Sequence, residues 1–164
     1  MISKKIKLFL ISSIVILVIF LVFTKYSKPI HAVLIEYSNM KEVAPDLYVE
    51  PGLQSSEQEE LLRTVESAES KIAEVFGGRS SSPKIIAVQS QKALQKYAEN
   101  STGQTYYYPW KNYIVIGPKG LNESVISHEL THAELRERLH NKHKVPAWFD
   151  EGLAAMVDGR FINN

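Results

Sequence analysis

The stretch His128-Glu129-Leu130-Thr131-His132, followed by Trp148-Phe149-Asp150-Glu151-Gly152-Leu153-Ala154, decides how this chain is read. On a helix, positions i and i+4 share one face, so the two imidazoles of an H-E-x-x-H sequence can reach a single ion. Glu129, next to the first histidine, leans aside from that face and addresses a water rather than the metal. Two histidines leave a zinc ion short of ligands, and a carboxylate from a second helix makes three. Glu151 follows His132 with eighteen residues between them. The fourth position then stays open for water, which separates a catalytic zinc site from a structural one. The sequence therefore predicts Zn2+ held by His128, His132 and Glu151, with Glu129 as the general base. The bland alternative is a surface helix whose two histidines happen to lie four apart; it leaves the downstream Pro146-x-Trp148-x-x-Glu151-Gly152-Leu153-Ala154 sequence unexplained.

Local signals place the motif on a helix from Asn122 to about His140. Asn122 is a fitting N-cap and Glu123 suits the first turn. Val125, Leu130, Ala133, Leu135 and Leu139 give it apolar surface without a clean stripe. Upstream, Asp46 to Glu50 reads as a short strand closed by Pro51-Gly52. Ser56, with Glu59 three residues on, opens a long helix to Phe76 before Gly77-Gly78. Lys84 to Val88 is a buried-strand pattern, Ser90 caps a short helix through Glu99, and Thr105 to Tyr108 and Asn112 to Gly117 read as strands. The expected fold class is α+β: a small mixed sheet, a long helix on one side and two metal-bearing helices, preceded by one N-terminal transmembrane helix.

The chain has 164 residues and no cysteine, so disulfides, thiolate nucleophiles and cysteine-ligated zinc are excluded. Its formal charge of +1 conceals an asymmetry. Lys4, Lys5, Lys7, Lys25 and Lys28 flank the apolar segment, leaving 14 basic and 18 acidic residues in 29–164, a net of −4. Such a domain has no electrostatic footprint for nucleic acid. Leu8 to Thr24 runs seventeen residues without a charge. That spans about 25 Å as a helix, a little under a bilayer core of about 30 Å. Lys7 and Lys25 can snorkel to close the gap. Lys25-Tyr26-Ser27-Lys28-Pro29 offers no small-x-small cleavage site close behind the segment, which favours an uncleaved anchor over a secretory signal. Three lysines before the segment and two after it set the N-terminus inside and the domain outside the cytoplasm; cleavage would give a secreted protein instead. The division expected is an anchor over 1–28, a stalk or short strand over 29–45 with His31 to Tyr37 as the strand candidate, and the metal-binding domain over 46–164. The lipid bilayer is expected to meet the chain through residues 8–24.

The H-E-x-x-H sequence with Glu151 and its Trp-x-x-Glu-Gly-Leu-Ala setting resembles the gluzincin metallopeptidases, and in particular small peptidase MA-like families. The resemblance covers about residues 55 to 160, and its specific part is 128 to 154. It implies peptide hydrolysis by a zinc-activated water, with the third ligand at Glu151 and proton transfer through Glu129. It also implies an edge strand before the active-site helix that holds substrate backbone, a place that Tyr113 to Gly117 takes here. Families of this kind often carry a Tyr or His beyond the third ligand to stabilise the oxyanion. None of the thirteen residues after Glu151 is either, so Tyr106, Tyr107, Tyr108 and Tyr113 stand as substitutes. The second function class is a non-catalytic, zinc-stabilised binding module at the membrane surface, but it has no use for Glu129.

Other residues have plainer readings. Asp158, two turns beyond Glu151, can brace a histidine but suits an ordinary polar helix end better. Asp150 points elsewhere and has no assigned role. His140 and His143 sit in a solvated basic turn with Arg138, Lys142 and Lys144, and His31 has no partner nearby in sequence. Trp148 and Phe149 read as core residues seating the second helix.

Overall fold

The computed structural model describes residues 4–140 and 143–159, so Lys142 and the last five residues lie outside the described residues. In chain order they form α1 (Lys4–Val33), a 3-10 turn (Ile35–Tyr37), β1 (Lys41–Ala44), β2 (Leu47–Val49), α2 (Ser55–Phe76), β3 (Lys84–Ala87), α3 (Gln91–Tyr97), β4 (Gly103–Tyr107), β5 (Asn112–Ile116), α4 (Glu123–Arg138) and α5 (Ala147–Val157). The five strands make one mixed sheet in the order β1-β2-β3-β5-β4. β2, β3 and β5 run parallel at its centre, and β1 and β4 pair antiparallel at the two edges.

Alternation along the central strands divides the core in two, as the two-residue period of a strand requires. Leu47, Val49, Ile85, Ala87, Ile114 and Ile116 face α2, α4 and the end of α5. Tyr48, Ile86, Val88, Tyr113 and Val115 face the opposite layer, built from α3 and the end of α1. The long α2 buries Leu61, Val65, Ala68 and Ile72, a stripe at helical spacing. Its capping box lies two residues earlier than predicted: the cap is Gln54 rather than Ser56, and Glu57, rather than Glu59, accepts the Gln54 N–H at 2.9 Å. It stops at Gly77, whose φ of 69° glycine adopts without steric cost. The Ser90 and Asn122 caps are as read, each accepting from the N–H three residues on.

Residues 29–45 differ from expectation. His31 to Tyr37 is not a strand: α1 continues to Val33 and gives way to the 3-10 turn. Ala32 and Ile35, three apart, are both fully buried against the sheet. Their packing outweighs the β-branched character of the segment. Pro29 lies inside α1, where it cannot donate to the preceding turn, and Tyr26 shows the break with φ −115° and ψ 22°. The rest of α1 is long and apolar enough to cross a membrane, and none of its most apolar window is covered by the remainder of the chain.

Candidate metal centre

α4 holds both histidines on one face, and α5 brings Glu151 against them. The Nε2 atoms of His128 and His132 are 3.2 Å apart. Glu151 Oε2 lies 3.4 Å from the first, and Oε1 lies 3.7 Å from the second. Bonds of about 2.0–2.1 Å to a tetrahedral zinc would set donors roughly 3.3 Å apart, so this spacing fits such an ion. The outer ring nitrogens explain why the inner ones converge. His128 Nδ1 is 2.9 Å from Asp158 Oδ2, and His132 Nδ1 is 2.7 Å from Asp150 Oδ1. Each Nδ1–H donates to a carboxylate, which fixes the tautomer with the Nε2 lone pair turned inward. Lone pairs and a carboxylate aimed at one point repel each other unless a cation lies there.

Asp150 escapes a reading of the sequence, and Asp158 takes the less favoured of its two readings. Asp158 braces His128 and is not merely a polar helix end; its side chain is fully buried. Asp150 braces His132 and also accepts from Arg136 Nη2 at 2.6 Å. The pairs are 30 and 18 residues apart in the chain, so only the packing of α5 on α4 joins them. The same packing overturns the reading of Trp148 and Phe149 as core, since they are 75% and 41% exposed. α5 spends its inward face on Asp150, Ala154, Val157 and Asp158, which leaves the aromatic positions facing solvent.

Glu129 is buried beside the donors, and its Oε2 accepts from the Thr105 hydroxyl at 2.6 Å. Burial pushes its carboxyl above the ordinary range, although the Thr105 bond and the nearby histidines favour the ionised form. β4 supplies the opposing wall. Gly103, Thr105 and Tyr107 share one face of that strand, and a Cβ at Gly103 would stand 2.8 Å from Glu129 Oε1. Glycine is therefore the residue that gives the Glu129 carboxyl its room.

These groups line a cavity of about 610 Å3 that also reaches Asn100 and Gln104. Of the four tyrosines considered, Tyr107 lines it. Burial raises its phenol well above the usual value, so it stays a protonated donor, and the Arg136 guanidinium lies 5.0 Å from its ring. Tyr106 donates instead to the Tyr97 carbonyl at 2.6 Å, Tyr108 stacks on Trp110, and Tyr113 is buried in the opposite layer. Tyr113 to Gly117 does not form the edge: β5 lies between β3 and β4, with all five residues buried. β4 is the edge strand on the cavity rim. His140 and His143 are exposed as expected, and His31 packs edge-on to Phe23 and Tyr97, away from the cluster. Comparison of the chain with protein-family models, with curated proteins and with solved structures finds no match.

Proposed function

We propose that this chain is a membrane-anchored zinc metallopeptidase of gluzincin type, with its domain outside the cytoplasm. The observation that carries the reading is the convergence of three donor groups beside a buried carboxylate that is not one of them. Zinc held by His128, His132 and Glu151 would supply Lewis acidity, polarising a peptide carbonyl and bringing a water toward deprotonation near neutral pH. Glu129 takes the proton of the attacking water and passes it to the leaving amine, a role suited to a carboxyl whose affinity for protons is raised by burial. Tyr107 donates to the oxygen on which negative charge develops. The outer edge of β4 offers backbone N–H and C=O groups to an extended peptide.

A binding module without activity is the second reading, favoured by the exposed Trp148–Phe149 pair beside Glu151. A structural site gives no reason to bury Glu129 and clear space for it with Gly103. Full-length protein in detergent, presented with a mixed peptide library, is expected to cut it, to stop when a chelator strips the metal, and to resume with one equivalent of zinc. Equal cleavage by metal-free protein would overturn the reading.

A further inference from the structure

We infer that the substrate is a peptide emerging from the same bilayer, cut within about five residues of the headgroups. This rests on the peptidase reading above and on α1 remaining as an anchor. Residues 24–29, where the chain leaves the apolar run, line a second cavity together with Glu99, Gln104 and Tyr106. Gln104 lines the metal-site cavity as well, so the two meet across β4. One face of β4 meets the membrane-exit segment through Gln104 and Tyr106, and the other meets Glu129 through Gly103 and Thr105. Glu129 and that segment lie on opposite faces of β4, so one strand with a side chain on each face separates them by roughly 15 Å, which an extended chain rising about 3.3 Å per residue spans in about five residues.

The composition of the exit segment fits headgroup depth. Lys25 suits lipid phosphates, the half-exposed Tyr26 suits the interfacial aromatic belt, and Lys28 ties the segment to the domain through Glu99 at 3.5 Å. The anchor is also no loose tether. Beyond the break at Tyr26, α1 runs on to Val33, Ala32 is fully buried, and the His31 ring packs on Tyr97 at 6.3 Å. The separation between the site and the exit segment, from which we infer the height of the site above the bilayer, is thereby fixed. A substrate held in the same membrane gains effective concentration, and does so only where its own exit places the bond at that height.

Two measurements test this, and the first needs no hydrolysis. The chain lacks cysteine, so Asn100→Cys on the cavity rim takes a single fluorophore in the full-length protein. In phosphatidylcholine vesicles it should transfer energy efficiently to a headgroup acceptor. Inserting a flexible Gly-Ser segment of about twelve residues between Thr24 and Lys25 should reduce that transfer. Transfer that is weak and unchanged by the insertion overturns the inference, whatever the activity. In the second, the protein shares vesicles with single-span substrates carrying one cleavage sequence at about five or about thirty residues from the bilayer. The near placement should be cut at least tenfold faster. The insertion should erase that preference and leave hydrolysis of a soluble peptide unchanged. Equal rates at both placements with the unmodified protein overturn the inference while the peptidase reading stands; no hydrolysis of any peptide, soluble or tethered, overturns both.

Discussion

Asp150→Asn isolates what the carboxylates behind the histidines contribute. Asp150 accepts from His132 Nδ1 at 2.7 Å and from Arg136 Nη2 at 2.6 Å, and it is almost fully buried. An asparagine oxygen can still accept from Nδ1–H, but its amide then points a donor at the guanidinium. The imidazole loses an anionic partner. Losing such an outer partner typically lowers metal affinity by about 10–100-fold, or about 1.4–2.8 kcal/mol. Asp150→Ala separates metal binding from folding. It leaves the Arg136 charge, on a side chain only 14% exposed, without its carboxylate. Breaking a buried pair on one side costs about 3–5 kcal/mol of stability. Competition with a chromophoric chelator gives the zinc affinity, and urea unfolding of metal-free protein gives the stability. Wild-type zinc affinity in Asp150→Asn would refute the bracing argument, and an unchanged unfolding midpoint in Asp150→Ala would refute the claim that Arg136 depends on it.

Three further outcomes follow from the same geometry. Gly103→Ala brings a Cβ to 2.8 Å from Glu129 Oε1 and 2.9 Å from its Cγ; with Glu129 as the proposed base, displacing its carboxyl by about an ångström should cost about 100-fold in kcat, with zinc content, read by mass spectrometry, unchanged. Tyr107→Phe removes one donor and should lower kcat by about 100–1,000-fold at constant zinc content, and an unaffected kcat would take the oxyanion role away from Tyr107. Glu134→Gln concerns the fold alone. Burial disfavours the Glu134 charge, but the Ser81 and Ser80 N–H groups and Arg138 outweigh it and hold its carboxyl below the ordinary value. Its stabilisation is thus complete above a pH of about 4.3, the ordinary glutamate pKa, and is lost as pH falls through the lower folded value. The substitution should cost about 3 kcal/mol at pH 7 and flatten the acid limb of stability measured by urea unfolding.

What the sequence disclosed and what it hid divide along physical lines. His128, Glu129 and His132 were legible because helical period and ligand chemistry tie residue type to spacing, whereas Glu151, on another helix, was legible only through its Trp-x-x-Glu-Gly-Leu-Ala setting. Strands β2 to β5 and the Ser90 and Asn122 caps were legible for a similar reason, each depending on neighbours within a few residues, whereas β1 and the position of the α2 cap were not. Asp150 and Thr105 were not, and Asp158 only as the less favoured reading, because their partners lie across packed elements and no local period connects them. Trp148 and Phe149 misled because large aromatics ordinarily fill a core, whereas here carboxylates serving the histidines occupy the inward face of α5. His31 to Tyr37 misled through its β-branched composition, which the burial of Ala32 and Ile35 overrides. Tyr113 to Gly117 was placed at the sheet edge because chain order was taken for spatial order, but β4 returns antiparallel outside β5.

The most direct test of the central claim is Glu129→Gln in the full-length protein, with zinc per chain and cleavage of a mixed peptide library measured on the same preparation. Glutamine keeps the shape and can still accept from Thr105, but it cannot take a proton from water. The account predicts one zinc per chain in both proteins, with hydrolysis in the wild type and none detectable in the variant. Equal hydrolysis by both, or one zinc in each with neither cutting any peptide, would contradict it.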